Sequence, residues 1–145
     1  MWLISNVSLS ISGDHNYDYP PNALGVGIVP PNVQECYEEG STIDIVSVLT
    51  AHHKGHFEVK ACPIAPGEVA SQACFDEHPL TFEKDMLYGG VKHNEYPGRA
   101  YIPLKENTVL ETNGEYTYHH QFKLPEGLRG DLILLQWYYL TANSW

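Results

Sequence analysis

Several stretches of the chain alternate between apolar and polar residues with a period of two. Residues 7–11 alternate aliphatic side chains with serines, and residues 57–61 alternate apolar side chains with charged ones. In residues 116–124 one face collects Tyr116, Tyr118, His120, Phe122 and Leu124. A period of two is the spacing of side chains on one face of a β-strand. The pattern therefore predicts three strands, each with one buried face.

Two other stretches are apolar on both faces. Residues 42–50 are rich in Ile and Val, and residues 132–140 are almost continuously apolar. Strands that are covered on both faces show this composition, so both stretches are predicted to be central in a sheet. Residues 99–104 are predicted to form a further strand. Asn113-Gly114 is a hairpin-turn signal, with residues 109–111 leading in and the strand at 116–124 leading out.

The segments between these strands are turns and loops rather than helices. Residues 18–31 hold four prolines and are predicted to be an extended surface loop. No long stretch has a convincing helical period. Many short strands separated by turns predict an all-β fold, a mostly antiparallel two-sheet sandwich with long loops and with Trp137 in its core.

Composition and charge limit the kind of domain that the chain can form and the classes of partner that it can bind. A chain of 145 residues with 43% hydrophobic residues is long enough for one globular domain with a real core. The net charge of -10 argues against nucleic acid and anionic membrane surfaces. No apolar run approaches the roughly 20 residues needed to span a bilayer. Residues 1–13 make a poor secretion signal, because the start is not basic and polar residues interrupt the apolar run.

Residues 49–63 concentrate the candidate chemistry. Three histidines fall within five positions around Gly55, on a predicted bend that leads into the strand at 57–61. The stretch includes Ala51, His53, Gly55, Phe57, Glu58 and Cys62. These residues resemble the Thr-Ala-Asn-His-x-Gly-x-Phe-Glu…Cys motif of lytic polysaccharide monooxygenases, with His52 where that family usually has Asn.

Two further blocks follow in the family's order. Residues 72–80 resemble its Gln-Glu-Cys-Phe-Asp…Pro-Leu segment, and residues 124–145 resemble its Leu-Pro…Leu-Gln-Trp-x-Tyr…Gly-Asn-Ser-Trp segment. The type most similar is the animal and protist one, which is related to the bacterial chitin-active type. The resemblance is clear over about residues 34–145. It implies an immunoglobulin-like or fibronectin-III-like sandwich, and we expect residues 1–145 to be a single, partial domain.

The resemblance also implies an activity and a cofactor. Members of this family use one copper ion to cleave chitin or cellulose oxidatively, and a brace of two histidines holds the ion. His53 matches the second brace histidine, and Ala51 matches the small residue that lines the copper's axial position. The first brace histidine is N-terminal in the family, and an axial aromatic follows the Asn-Ser-Trp segment. This sequence begins Met1-Trp2 and ends at Trp145, so we expect an incomplete copper site and little or no oxidative cleavage. The sequence is either an incomplete version of a family member or a diverged, inactive relative, and it does not distinguish the two.

The three cysteines allow at most one internal pair. Judged from the residues alone, Cys62 and Cys74 could be two buried thiols. The family pattern implies a disulfide between them, provided that the protein is secreted, as the resemblance implies. Cys36 has no visible partner.

The sequence is also compatible with functions other than a copper monooxygenase. A non-catalytic chitin- or cellulose-binding module and an immunoglobulin-like interaction domain are both compatible with the same sandwich. His52 and His56 have the spacing of helical zinc sites, but Gly55 disfavours a helix and position 53 lacks the catalytic Glu. The expected partner is a chitin or cellulose surface, and a monomer is expected. The sequence does not distinguish the two polysaccharides or the carbon that is oxidised.

Overall fold

The computed structural model describes residues 2–10, 33–65 and 70–142, which form two β-sheets packed face to face. The five-stranded sheet has, in spatial order, β2 (Val33–Tyr37), β1 (Trp2–Ser10), β8 (Ile133–Leu140), β4 (His56–Pro63) and β6 (Ala100–Tyr101). The three-stranded sheet has the order β3 (Thr42–Leu49), β7 (Tyr116–Lys123) and β5 (Thr81–Asp85). The predicted β-sandwich is therefore confirmed.

Strand pairing is antiparallel with one exception among the described strands. β4 pairs antiparallel with β8 over its whole length, whereas β1 runs parallel to β8. β8 thus lies between two partners, and its residues from Ile133 to Trp137 are buried. The predicted central position of this strand is confirmed, because a strand covered on both faces can be apolar on both.

The core forms between the inner faces of the two sheets. The alternation in β7 is confirmed, because every second residue from Tyr116 to Leu124 is buried. Phe57 and Trp137 of the other sheet meet these residues, with 5.4 Å between the ring centroids of Phe57 and Tyr118 and 4.9 Å between those of Phe57 and Trp137. Trp137 is in the core, as predicted.

One pair of ionisable side chains is buried with these rings. The Nε2 atom of His120 lies 3.4 Å from the Oδ2 atom of Asp85, and both side chains are almost fully buried. The other carboxylate oxygen of Asp85 accepts hydrogen bonds from the backbone N–H groups of Leu87 and Tyr88, 2.9 Å away in each case. His120 therefore faces the core, whereas His119 points outward to Asp44, as expected for neighbours in a strand.

The predicted central position of residues 42–50 is wrong. β3 is an edge strand of the three-stranded sheet, and its only partner among the described strands is β7. Ile43 and Ile45 are buried, but Val46 and Val48 on the other face are 62% and 50% exposed. The valines stand on the outer face of the sandwich, where nothing in the described part of the chain covers them.

Two local predictions need correction. Residues 99–104 contribute only a two-residue strand, β6, and residues 109–111 are not a strand. The Asn113-Gly114 turn is present, with the Gly114 N–H donating to the Glu111 carbonyl over 2.9 Å, and it leads directly into β7. A short helix, α1 (Gln72–Glu77), was not predicted; Ser71 caps it by accepting a hydrogen bond from the Cys74 N–H.

Some predictions concern residues outside the described part. The proline-rich loop at residues 18–31 and Ile11 of the first predicted strand lie there, while β1 covers the rest of that strand. In the described ranges, no helix is long and apolar enough to span a bilayer. The assignment of residues 1–145 to one partial domain stays a prediction.

Candidate functional site

The histidine-rich bend lies at one end of the sandwich, between the end of β3 and the start of β4. Lys54 and Gly55 both have positive φ angles, 56° and 89°. At Gly55 an added Cβ would lie 1.8 Å from the Leu140 carbonyl oxygen, at the end of β8. Only glycine fits so close to another backbone at this φ. The sequence therefore forms a tight bend here and not a helix, which rules out a helical zinc motif at His52 and His56.

His53 is anchored through its backbone on both sides. Its N–H donates to the Tyr139 hydroxyl oxygen over 3.0 Å, and its carbonyl accepts from the Ala142 N–H over 3.0 Å. Burial raises the pKa of Tyr139, although the hydrogen bond from His53 opposes that rise. Tyr139 therefore keeps its proton at neutral pH, and the last residues of β8 fix the position of the half-buried His53.

His52 is held by the segment that follows β6. Its Nε2 atom lies 3.0 Å from the Pro103 carbonyl oxygen, so this nitrogen is the donor. Its Nδ1 atom accepts from the Lys54 N–H over 3.3 Å. The ring also meets Tyr116 edge-on, at 5.5 Å between centroids. Because both ring nitrogens have partners, His52 braces the bend.

His56 lies on the outer face of the five-stranded sheet. Its Nε2 atom is 3.0 Å from the Glu58 Oε1 atom. The hydrogen bond from His56 holds the pKa of Glu58 below its ordinary value, against the opposing effect of burial. His52 and His56 thus have separate partners, the Pro103 carbonyl and the Glu58 carboxylate.

Whether the described residues fit a copper ion depends on which metal-binding side chains come together in the structure. Nowhere in residues 2–10, 33–65 or 70–142 do three His, Cys, Asp or Glu side chains come together as a group that could hold a metal. Imidazole suits copper, but one imidazole does not fix the flat nitrogen geometry that Cu(II) prefers. The described residues alone therefore do not fit the ion. The roles predicted for His53 as a copper ligand and for the exposed Ala51 as a lining residue stay predictions.

The disulfide prediction is confirmed. Cys62 in β4 and Cys74 in α1 are joined, with 5.4 Å between their Cα atoms, and Cys36 is a free cysteine. The bridge holds α1 against the outer face of β4, where Cys62, Phe75 and Leu134 form a second small core. This core lies at the opposite end of β4 from the histidine bend, so the bridge supports the fold and not the candidate site.

Sequence reasoning missed the residues that surround the bend. The sequence places Tyr139 in a buried strand and in a family motif block, and Arg99 at the start of a predicted strand, but it does not indicate that either residue has a partner at the bend. Arg99 places its Nε atom 3.4 Å from Glu58 Oε1 and its Nη1 atom 3.1 Å from the Tyr101 hydroxyl. The alternation of β4 does predict that Glu58 shares a face with His56, and their contact confirms it. The partner on the neighbouring strand was not visible in the sequence.

Comparisons with known proteins agree with the motif. The sequence model of the family described as "Lytic polysaccharide mono-oxygenase, cellulose-degrading" matches residues 11–145. A solved structure, the "Lytic Polysaccharide Monooxygenase AA15 from Thermobia domestica in the Cu(I) State", is similar with a TM-score of 0.54 and 28% identity. The match covers 74% of this chain and 47% of that chain, so this chain spans about half the length of the Thermobia domestica protein. Comparison with curated proteins gave no match.

The family match extends over nearly the whole chain, and the solved relative has a similar fold. The structure adds three features to this match: the β-sandwich, the disulfide, and the bend on which His53 is anchored through its backbone. On these grounds the chain belongs to the lytic polysaccharide mono-oxygenase family.

Proposed function

We propose that this chain is the polysaccharide-active domain of a copper-dependent monooxygenase that cleaves the glycosidic bonds of chitin or cellulose oxidatively. The observation that carries the proposal is the position of His53. It occupies the family's motif position, on a glycine bend, and is anchored by hydrogen bonds to Tyr139 and Ala142. A metal ligand needs such support, because the groups around a ligand fix its orientation.

In this proposal His53 would supply one imidazole ligand, and Ala51 would line the copper site. Copper, when bound, supplies the oxygen-activating chemistry. The resemblance assigns the other two nitrogens to an N-terminal histidine. Because one imidazole does not fix the flat nitrogen geometry that Cu(II) prefers, we expect His53 without that histidine to bind copper weakly and to support little or no release of oxidised products.

The same proposal covers location and partners. We propose secretion and action as a monomer on a polysaccharide surface. The Cys62–Cys74 bridge supports an oxidising compartment, since disulfides persist there and are rare in the cytosol. The net charge of -10 favours a neutral or cationic polymer over nucleic acid.

The test uses the protein extended so that its mature chain begins with histidine and includes the downstream axial aromatic. Cu(II) affinity is measured by titration calorimetry, and oxidised oligosaccharides from chitin and from cellulose are measured by mass spectrometry with a reductant present. We expect tight binding and oxidised products from at least one polysaccharide. His53→Ala is expected to abolish both.

The matched control is His119→Ala, which removes a partly exposed histidine from the outer face of the three-stranded sheet. It should leave copper affinity and products unchanged. If His53→Ala cleaved as well as the parent, His53 would not be a ligand. If the extended protein bound polysaccharide without releasing oxidised products, the non-catalytic binding module would be the correct function.

A further inference from the structure

The turn that leads into β7 presents an asparagine followed directly by a glycine. Asn113 and Gly114 are both exposed, and they are the only Asn-Gly pair in the 145-residue sequence. Gly114 has a φ of 83°, and no described atom beyond its chain neighbours lies within 4 Å of the position that a Cβ would take. Because glycine has no side chain, the backbone nitrogen of Gly114 is open to approach from the Asn113 side chain.

Two hydrogen bonds hold the Asn113 side chain along this backbone. Its Oδ1 atom accepts from the Glu115 N–H over 3.1 Å, and its Nδ2 atom donates to Glu115 Oε2 over 2.6 Å. An asparagine that bonds the N–H two residues further on folds its side chain back along the intervening peptide unit. The nitrogen of that peptide unit belongs to Gly114, so Asn113 Cγ is held beside it.

An asparagine amide beside an unhindered peptide nitrogen is chemically labile. The Gly114 nitrogen gives its proton to water and forms a bond to Asn113 Cγ. The bond between Cγ and Nδ2 then breaks, and the nitrogen takes a proton from water and leaves as ammonia. Water opens the resulting cyclic imide to aspartate, or to isoaspartate, in which the backbone runs through the side chain. The reaction consumes water and releases ammonia, and nothing is oxidised or reduced.

The hydrogen bonds of the turn both assist and oppose this reaction. Negative charge develops on Asn113 Oδ1 as the new bond forms, and the Glu115 N–H already donates to that oxygen. The Gly114 N–H donates to the Glu111 carbonyl over 2.9 Å, and this bond must open before the proton is lost. Because the net contribution of one such hydrogen bond is small, its opening slows the reaction by no more than about ten-fold.

The turn is connected to the histidine bend through β7. Tyr116, the first residue of β7, meets the His52 ring edge-on, at 5.5 Å between centroids. Loss of the Asn113 amide removes the donor to Glu115 and places a second carboxylate beside it, and like charges this close repel. Isoaspartate also lengthens the backbone of the turn. The modification therefore loosens the start of β7.

We propose that Asn113 is a self-modifying site, at which the Gly114 nitrogen displaces the side-chain amide as ammonia, and that the product destabilises the turn before β7. Water is the co-reactant, and neither a metal nor a polysaccharide takes part. The inference goes beyond the proposed function and does not depend on it.

The test incubates the 145-residue chain in water enriched in heavy oxygen and follows each asparagine by peptide mapping and mass spectrometry. Asn94 and Asn107 are matched internal controls, since both are exposed and are followed by Glu95 and Thr108, whose side chains hinder the attacking nitrogen. We expect Asn113 to take up heavy oxygen about ten-fold faster than either control, or more. Its rate should rise with pH, because the nitrogen must lose its proton. Asn113→Gln should convert about ten-fold more slowly, or less, since a longer side chain closes a larger ring.

The same incubation in urea gives the rate for the unfolded turn, and the folded chain should react within about ten-fold of it. A larger slowing in the folded chain would overturn the inference, because the turn would then protect the amide. Conversion of Asn113 no faster than that of Asn94 and Asn107 would refute it as well. Fresh and converted chains, separated by ion exchange, are compared by thermal denaturation. The converted chain should unfold at a lower temperature, and equal midpoints would refute the destabilising effect.

Discussion

Gly55→Ala should disrupt the bend that carries His53 far more than an ordinary glycine substitution. Gly55 has φ of 89°, and an alanine Cβ would lie 1.8 Å from the Leu140 carbonyl oxygen. Real Cβ atoms essentially never approach within 3.0 Å of such an atom, so the bend and the end of β8 must move apart by more than an ångström. The atom in the way is backbone, so no side chain can rotate to relieve the clash.

The matched control is Gly114→Ala. Gly114 has φ of 83°, nearly the same as Gly55, but nothing lies within 4 Å of an added Cβ. This variant should therefore show the left-handed backbone cost alone, about 1–2 kcal/mol. Gly55→Ala adds the clash and loosens the hydrogen bond between Ala142 and His53. We expect its total cost to reach about 3–4 kcal/mol, a large share of the stability of a small domain.

The measurement is the difference between the two free energies of unfolding in urea, together with amide hydrogen exchange. Gly55→Ala should lose about 2 kcal/mol more than Gly114→Ala. The backbone amides of His53 and Ala142 should exchange faster in Gly55→Ala than in the parent. Their exchange rates should be unchanged in Gly114→Ala. Equal costs in the two variants, with no change in exchange at the bend, would show that the close approach of Gly55 to β8 does not constrain the site.

Two further predictions concern stability away from the bend. Replacing Cys62 and Cys74 together by Ala should lower the free energy of unfolding by about 3 kcal/mol, since the bridge closes a loop with a sequence separation of 12 residues; a urea midpoint that matches the parent's would contradict this. For Asp85, burial favours a higher pKa, but the bonds from His120, Tyr88 and Leu87 outweigh it and leave the pKa of Asp85 lowered. Its contribution to stability is therefore fully present above the ordinary carboxyl pKa of about 4 and is lost as pH falls through the lower folded value. Asp85→Asn should make the acid part of the pH–stability curve shallower, and identical curves for parent and variant between pH 2 and about 5 would exclude that role.

Alternation along single strands could be read from the sequence, and the structure confirms it. In β7 the side chains of Tyr118, His120 and Phe122 face the core because period-two spacing places them on one side of the sheet. Alternation says less about where each strand lies within its sheet. Residues 42–50 have apolar side chains on both faces, yet β3 is an edge strand with Val46 and Val48 exposed. Local composition reports the polarity of a face and not what covers it.

The bridge and the motif histidine were also found from the sequence, through their place in a family pattern. The short helix α1 was missed, because six residues are too few to show a helical period. It is stabilised by the Ser71 cap and by the disulfide, which are local and tertiary contacts of single residues.

The sequence by itself determined two features of this protein. Alternation fixes which side chains share one side of a strand, and Gly55 permits the turn at the histidine bend. The tertiary structure decided which groups His52, His56 and the His53 backbone contact. His52 meets Pro103, His56 meets Glu58, and the His53 backbone meets Tyr139. Each partner lies on a different strand or loop, distant in sequence from the bend except for Glu58. Their positions depend on how the strands are ordered in the sheet, which neighbouring residues in the chain do not encode.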